Sequence, residues 1–211
     1  MDALNAEIIA CALCPRLRAW CTAKAHEKRA AFADATYWGK PIPNFGDPDA
    51  SLLIVGLAPA AHGANRTGRM FTGDRSGDWL FRGLHAVGLA NQAGASSVRD
   101  GLQLSKVRIT ATVHCAPPDN KPTLEEITNC RPYLQQLLRK EWRGILCLGG
   151  IAWREVHRNL GIRPLPPFSH GATTNGRIIG CYHPSQQNTF TGRLTREMLE
   201  EQLSRLASLA D

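Results

Sequence analysis

Residues 51–74 read SLLIVGLAPAAHGANRTGRMFTGD, a short apolar run that leads directly into a loop rich in glycine. The run SLLIVG, residues 51–56, has the length and composition of a buried strand. Similar runs occur at residues 107–113, 144–149 and 177–183. Apolar residues with helical spacing predict helices at residues 78–89, 123–140, 152–160 and 194–209. Because strands and helices alternate, we expect an α/β fold in which helices cover both faces of a parallel sheet.

The helix predicted from residue 123 begins with Thr-Leu-Glu-Glu, the pattern of a capping box between Thr123 and Glu126. Before the first strand we expect a helix around residues 4–32, followed by an irregular stretch, WGKPIPNFGDPD, at residues 38–49. A length of 211 residues suits one compact unit. The chain is therefore predicted to be a single domain over residues 1–211.

The composition favours a polyanionic partner, since 25 Lys and Arg against 18 Asp and Glu give a formal net charge of +7. No apolar stretch reaches the roughly 18 residues of a membrane span, and the N-terminus lacks the pattern of a secretion signal, so we expect a cytoplasmic protein without a membrane partner. Seven cysteines, an odd number, argue against a disulfide framework and for thiolates that hold a metal or lie in the core.

The loops after the strands are the expected ligand site, because such sheets bind ligands beyond the carboxyl ends of their strands. In the loop of residues 56–74, glycines let the backbone approach a ligand, and we expect Gly56 and Ala58 to contact the substrate. A dinucleotide-binding fingerprint is the alternative interpretation. Pro59 at the tight turn and the missing or displaced turn glycines argue against it.

Two motifs carry a family resemblance: GLAPAAHGANRTGRMFTGD at residues 56–74 and HPSQQNTFTGRLT at residues 183–195. They resemble the signature motifs of family 5 uracil-DNA glycosylases, and the resemblance extends from Cys11 to the last helix. It implies a three-layer α/β/α sandwich around a four-stranded parallel sheet. It also implies a monomer that flips uracil and other deaminated bases out of DNA and removes them.

Two residues are the predicted catalytic groups. Cleavage of an N-glycosidic bond needs an anion near the sugar, donors near the departing base and a positioned water. Asp74 is the candidate anion, since the matching residue of the resembling family holds the attacking water. The alternative is a carboxylate that pairs with Arg75 or caps the following helix. His183 ends the fourth strand, where its ring can donate to the base oxygen that gains charge.

Further substrate contacts are predicted at four positions. The match of Phe71 in related enzymes stacks on the flipped base. Asn120 can read the amide edge of a base or cap its own turn. Ser185 is a candidate phosphate contact, and Asn188 lies in a segment that resembles the family loop wedged into the duplex.

The predicted DNA contacts are arginines of the two motifs, which would concentrate positive charge at the mouth of the crevice. We assign this role to Arg66, Arg69 and Arg193, with a solvated basic face as the alternative. Family 4 relatives carry an Asn near the position of Ala111 and Thr112 that selects uracil. Its absence here implies a broader range that includes hypoxanthine or xanthine.

Four cysteines form the predicted metal site. Cys11 and Cys14 make a C-x-x-C, and Cys115 and Cys130 lie about a hundred residues further on. Geometry alone permits either tetrahedral zinc or an iron-sulfur cluster. The resemblance implies a four-iron, four-sulfur (4Fe-4S) cluster. Cys147 and Cys181 lie within strand patterns and are expected to be inert core residues, and Cys21 is the one alternative ligand.

Two other functions remain open at this point. A protein that binds nucleic acid without catalysis would use the metal site structurally, and a nucleotide-cofactor oxidoreductase would need a working glycine fingerprint. Apart from Lys121, no lysine lies in the loops after the strands, so a Schiff-base lyase step is not indicated and a monofunctional glycosylase is expected.

Overall fold

The structure is a computed structural model that describes residues 2–210. Its strands are β1 (Phe45–Gly46), β2 (Leu52–Gly56), β3 (Val107–Ala111), β4 (Gly144–Leu148), β5 (Thr173–Thr174) and β6 (Ile178–Cys181). Its α-helices are α1 (Ala3–Ala10), α2 (Pro15–Glu27), α3 (Ala64–Thr67), α4 (Arg75–Ala86), α5 (Leu124–Leu138), α6 (Gly150–Asn159), α7 (Gln186–Phe190) and α8 (Arg196–Ala207). Short 3-10 helices occur at Ala30–Phe32 and Pro118–Asn120.

The sheet has the order β1-β3-β2-β4-β6-β5. The four central strands are parallel, which confirms the predicted α/β class and its parallel centre. The sheet is wider than the four strands expected, because β1 and β5 add antiparallel pairs at the two edges. Each edge strand has only two residues, and β1 lies inside the stretch predicted to be irregular.

Two apolar cores lie on opposite faces of the sheet, because successive strand residues point to opposite sides. Leu52 and Ile54 of β2 join the core beneath α4 and α8, whereas Leu53 and Val55 join the core beneath α5 and α6. The strand residues in both sets are fully buried. The molecule therefore has the three predicted layers, with a helix pair on either side of the sheet.

The N-terminal region differs from the single helix expected around residues 4–32. Cys11 is extended and ends α1, and α2 begins four residues later at Pro15. Proline suits the first turn of a helix, where its missing N–H has no partner to lose, and it disfavours helical geometry in the residue before it. The helix therefore breaks between Cys11 and Cys14.

The other helices agree with the sequence pattern within a few residues. The capping box is confirmed at the start of α5, where the Glu126 N–H donates to Thr123 Oγ1 and the Thr123 N–H donates to Glu126 Oε2. Two short helices within the ligand loops, α3 and α7, were not predicted. Among the described residues, no helix is both long and apolar enough to cross a membrane.

Candidate active site

The loops after β2 and β3 are joined where both strands end. The carbonyl of Gly56 accepts from the N–H of Thr112 at 2.9 Å and from its hydroxyl at 3.0 Å. The N–H of Val113 donates to the Leu57 carbonyl at 2.9 Å. A Cβ atom on Gly56 would lie 3.0 Å from Phe71 Cζ, so the glycine lets the aromatic ring fold back over the strand end. The sequence singled out the position of Thr112 only for the Asn that it lacks, and not for this contact between the loops.

Asp74 caps α4. Its Oδ1 accepts from the Gly77 N–H at 3.0 Å, which confirms the capping role considered for it. A Cβ atom on Gly63 would overlap Oδ2, so the other oxygen is packed against the glycine loop. Burial raises the pKa of Asp74 above its usual value although the Gly77 N–H opposes the rise. The carboxyl group is thus held at the site in a partly dehydrated environment, and its catalytic role stays a prediction.

Phe71 connects the first motif to the last. Its backbone has φ 53°, in the left-handed region that costs a bulky residue energy. Its carbonyl is packed so tightly on α4 that a Cβ atom on Gly77 would overlap it. The ring stacks on His183 with a centroid separation of 5.8 Å and an interplanar angle of 28°. The strained backbone therefore directs the aromatic ring toward the end of β6.

His183 lies two residues beyond β6 and is held through its carbonyl. That oxygen accepts from the Ser185 N–H and from the side-chain amide of Asn188, both at 2.8 Å. Burial lowers the pKa of His183 to about 4. The ring is therefore neutral at pH 7 and carries one N–H that can donate to a substrate oxygen.

Ser185 and Asn188 have contacts within their own loop. Ser185 caps α7 by accepting from the Asn188 N–H at 3.4 Å, and the Asn188 side chain is the donor that fixes His183. Both side chains are partly exposed. The phosphate and substrate contacts predicted for them stay predictions. Their hydrogen bonds to the His183 carbonyl give both residues a further role, which is to position His183.

Ala58 and Asn120 have surroundings that differ from those of Phe71 and His183. Ala58 is partly buried and packs against the apolar group around Cys115 and Val113. Asn120 ends the 3-10 turn Pro118–Asn120 with φ 55° and is exposed to solvent. Within residues 2–210, its side-chain amide has no hydrogen-bond partner. Its predicted contact with a base therefore remains open, as does that of Ala58.

Arg66 and Arg193 differ in the contacts that their guanidinium groups make within the protein. Arg66 donates to the carbonyls of His62 at 2.8 Å and Gly73 at 3.0 Å, so it braces the first loop. Arg193 is exposed, with its guanidinium 4.6 Å from the centroid of the Tyr182 ring. Contact with DNA stays a prediction for both, and only Arg193 has its charged group at the surface of the site.

The prediction that Arg69 contacts DNA is wrong. Its guanidinium is buried and forms two hydrogen bonds with Asp100, at 3.0 and 2.7 Å, and a third with the Thr72 hydroxyl at 2.8 Å. Burial alone would raise the pKa of Asp100, but the bonds from Arg69 and from nearby backbone N–H groups hold that pKa well below its usual range. Arg69 is therefore a structural residue. Its partner Asp100 lies in a long loop without a periodic pattern, so the sequence did not predict the pair.

The four predicted ligand cysteines line one cavity, although they come from distant parts of the chain. Cys11 and Cys14 lie at the break between α1 and α2, Cys115 follows β3, and Cys130 lies in α5. The His114 N–H donates to Cys130 Sγ at 3.4 Å, and the Asn129 amide donates to Cys14 Sγ at 3.7 Å.

No group of three or more His, Cys, Asp or Glu side chains within residues 2–210 is placed to hold a metal ion. The four cysteines share one cavity, and their role as metal ligands stays a prediction.

The remaining cysteines are buried. Cys147 and Cys181 lie in the sheet core as expected, and burial raises the pKa of Cys181 to about 12, so its thiol stays protonated at neutral pH. Cys21 is buried beside Cys115, and its Sγ lies 3.6 Å from the Ala116 carbonyl oxygen. It is thus close to the cysteine cavity without lining it.

The chain matches the family model described as the uracil DNA glycosylase superfamily over residues 43–207. It is 53% identical over 207 residues to the type-5 uracil-DNA glycosylase of Mycobacterium leprae, an alignment that covers 94% of this chain and 90% of the relative. It is 46% identical to the type-5 enzyme of Thermus thermophilus, with 99% and 98% covered. Similarity to the type-4 uracil-DNA glycosylase of Pyrobaculum aerophilum is lower, at 33% over 71% of this chain and 74% of the relative.

Proposed function

The chain belongs to the uracil DNA glycosylase superfamily, and we propose that it is a monofunctional hydrolase that excises uracil from DNA. The observation that carries the proposal is the stack of Phe71 on His183. It brings the aromatic ring of the first motif, three residues from Asp74, against the neutral imidazole of the last motif. These are the parts that a flipped base and its sugar require.

Each residue has a separate role in the proposed reaction. As the bond between sugar and base lengthens, the sugar gains positive charge, and the Asp74 carboxylate stabilises it and orients the attacking water. The departing base gains negative charge on its oxygen, to which the neutral His183 ring donates an N–H. Phe71 supplies a face on which the base stacks, an interaction worth about 1–3 kcal/mol.

We further propose a substrate range that includes hypoxanthine and xanthine. The end of β3 carries Thr112, whose hydroxyl donates to the Gly56 carbonyl, so it offers no paired donor and acceptor of the kind an Asn presents to uracil. The position therefore cannot impose strict uracil selection through an amide. The enzyme is proposed to act as a cytoplasmic monomer on damaged DNA.

Oligonucleotides with one uracil, hypoxanthine or xanthine test this directly. Excision should leave an abasic site that breaks only after alkali, whereas strand cleavage without alkali would contradict a monofunctional enzyme. An undamaged duplex is the control. Absence of product from all three lesions would overturn the proposal, and product from uracil alone would restrict it to uracil.

We also propose that Cys11, Cys14, Cys115 and Cys130 hold a 4Fe-4S cluster. Zinc binds thiolates at about 2.3 Å, so a single zinc ion needs four sulfurs that converge on one point. Four thiols that line one cavity are compatible with either metal, so the choice of the cluster follows the resemblance to family 5 enzymes, and the donors from His114 and Asn129 suit thiolate ligands. Such a cluster would supply a cross-link between the N-terminal helices and α5.

Elemental analysis of protein purified without oxygen distinguishes the two metals. About four iron atoms and four sulfides per chain, with broad absorbance near about 400 nm, are expected for the cluster. One zinc per chain without iron would overturn this part of the proposal and leave the glycosylase function untouched.

A further inference from the structure

A groove runs between α4 and α8 on the outer face of the molecule. Its polar lining consists of Arg75, Asp78, Trp79 and Arg82 from α4, and Arg196 and Glu200 from α8. Residues of α4 at positions i, i+3, i+4 and i+7 share one helix face, as do i and i+4 of α8. The lining is therefore one continuous stripe on each helix rather than scattered side chains.

The groove begins at the candidate active site. Arg75 is the first residue of α4 and follows Asp74, and α8 begins at Arg196, just beyond the loop that follows His183. The two helices approach closely, since a Cβ atom on Gly83 would overlap Leu203 Cδ1. This close contact fixes the distance between the two stripes, so the groove is a rigid extension of the site edge.

The arginines of the groove are exposed and already oriented. The Arg75 guanidinium lies 4.3 Å from the centroid of Phe190, and that of Arg196 lies 5.7 Å from the centroid of Trp79. Stacking on a ring restrains an arginine and leaves its N–H groups at the edge free to donate. Across residues 2–210, neither these two arginines nor Arg82 forms an ion pair.

The spacing of the charges selects the kind of ligand. Two carboxylates, Asp78 and Glu200, alternate with the arginines, so the groove is not a pocket for one anion. Arg75 and Arg82 lie seven residues apart, about 10 Å along the helix axis. Neighbouring phosphates of one DNA strand are separated by at least the axial rise of about 3.4 Å, so these two cations can reach more than one phosphate and at most about three. A polyanion can contact the whole row, whereas a single phosphate cannot.

We infer that the groove between α4 and α8 binds the sugar-phosphate backbone of the DNA strand on one side of the flipped nucleotide. Arg82 and Arg196 are the proposed phosphate contacts, and Arg82 lies about two turns of α4 beyond Asp74. The inference rests on the proposed function, because it assumes that DNA is the substrate. On this inference, α4 and α8 bind the duplex, while the loops after β2 and β6 bind the flipped base.

Binding of a labelled duplex, measured by fluorescence anisotropy at several salt concentrations, tests the groove. Arg82→Ala and Arg196→Ala should each flatten the slope of log affinity against log salt by about 0.9. Arg82→Lys and Arg196→Lys should keep the wild-type slope, because they keep the charge. The matched control is Arg139→Ala, an exposed arginine at the end of α5 on the opposite face, which should leave the slope unchanged.

A second measurement separates docking from chemistry. The enzyme concentration that gives half of the maximal single-turnover rate should rise in Arg82→Ala and Arg196→Ala in step with their loss of affinity, whereas Arg139→Ala should keep the wild-type value. If wild type binds and excises but both alanine variants keep its slope, the groove is refuted and the glycosylase stands. If wild type neither binds DNA with a salt dependence nor excises any lesion, the proposed function itself fails.

Discussion

Replacing Asp74 by Asn separates the two roles that the structure gives this residue. Asp and Asn are about equally good helix caps, and Asn keeps the Oδ1 atom that accepts from the Gly77 N–H. The free energy of unfolding should therefore change by only a few tenths of a kcal/mol. The charge is lost, however, and loss of one electrostatic stabiliser costs on the order of a hundredfold in rate, or about 2.7 kcal/mol.

Asp74→Ala is the matched comparison, because it removes both the charge and the cap. It should lower the free energy of unfolding by about 1 kcal/mol and lower the rate at least as far as Asn does. Single-turnover excision of uracil with enzyme in excess, together with thermal unfolding, measures both quantities. A rate for Asp74→Asn within about threefold of wild type would reduce Asp74 to a helix cap.

The pH profile gives an independent check on the same residue. Burial raises the pKa of Asp74 above its usual value, and in the proposed reaction Asp74 acts as an ionised carboxylate. The rate of the wild-type enzyme should therefore fall as the pH falls through this raised pKa. The decline should be absent from the residual activity of Asp74→Asn, and its persistence there would assign it to another group.

The remaining predictions concern the other parts of the molecule. His183→Ala should slow excision about a hundredfold. Because burial lowers the pKa of His183 to about 4, the wild-type rate should show no inflection near pH 6.5, and an inflection that disappears in His183→Ala would contradict a neutral donor. Cys115→Ser should lose iron and absorbance near about 400 nm and unfold at lower temperature, whereas Cys147→Ala should keep its iron, so equal iron in both would exclude Cys115 as a ligand. Arg69→Ala should lower the free energy of unfolding in urea by about 1–3 kcal/mol, because the partly buried Asp100 loses its charged partner and keeps only its bonds from backbone N–H groups, and it should not flatten the salt dependence of DNA binding. A stable Arg69→Ala with a flatter slope would restore Arg69 to the DNA interface.

The layered core was predictable because burial imposes a pattern on the sequence. The run of residues 52–55 has to be apolar throughout, since both faces of β2 are covered, and the helix faces that cover it follow the same constraint. Edge strands carry no such pattern. A two-residue strand such as β5 forms only because its neighbour offers unpaired backbone groups, a condition that exists only after folding.

Site residues that follow a strand could be predicted from the sequence. Residues whose placement depends on contacts between distant parts of the chain could not. Asp74 and His183 follow β2 and β6, and topology alone places them at the same edge of the sheet. Arg69 pairs with Asp100, which lies 31 residues away in a loop without a periodic pattern. No sequence pattern indicated this ion pair, so Arg69 was expected to be a surface cation. The left-handed backbone of Phe71 likewise arises from packing on Gly77.

The short strands at both margins of the sheet also affect how copies of the protein meet. An open sheet margin displays backbone donors and acceptors that can recruit a strand from another molecule and start a fibril. Here the outermost strands, β1 and β5, each offer only two residues for such pairing. A foreign strand would gain too few hydrogen bonds to stay attached. The length of the edge strands should therefore by itself disfavour pairing between the sheets of two copies.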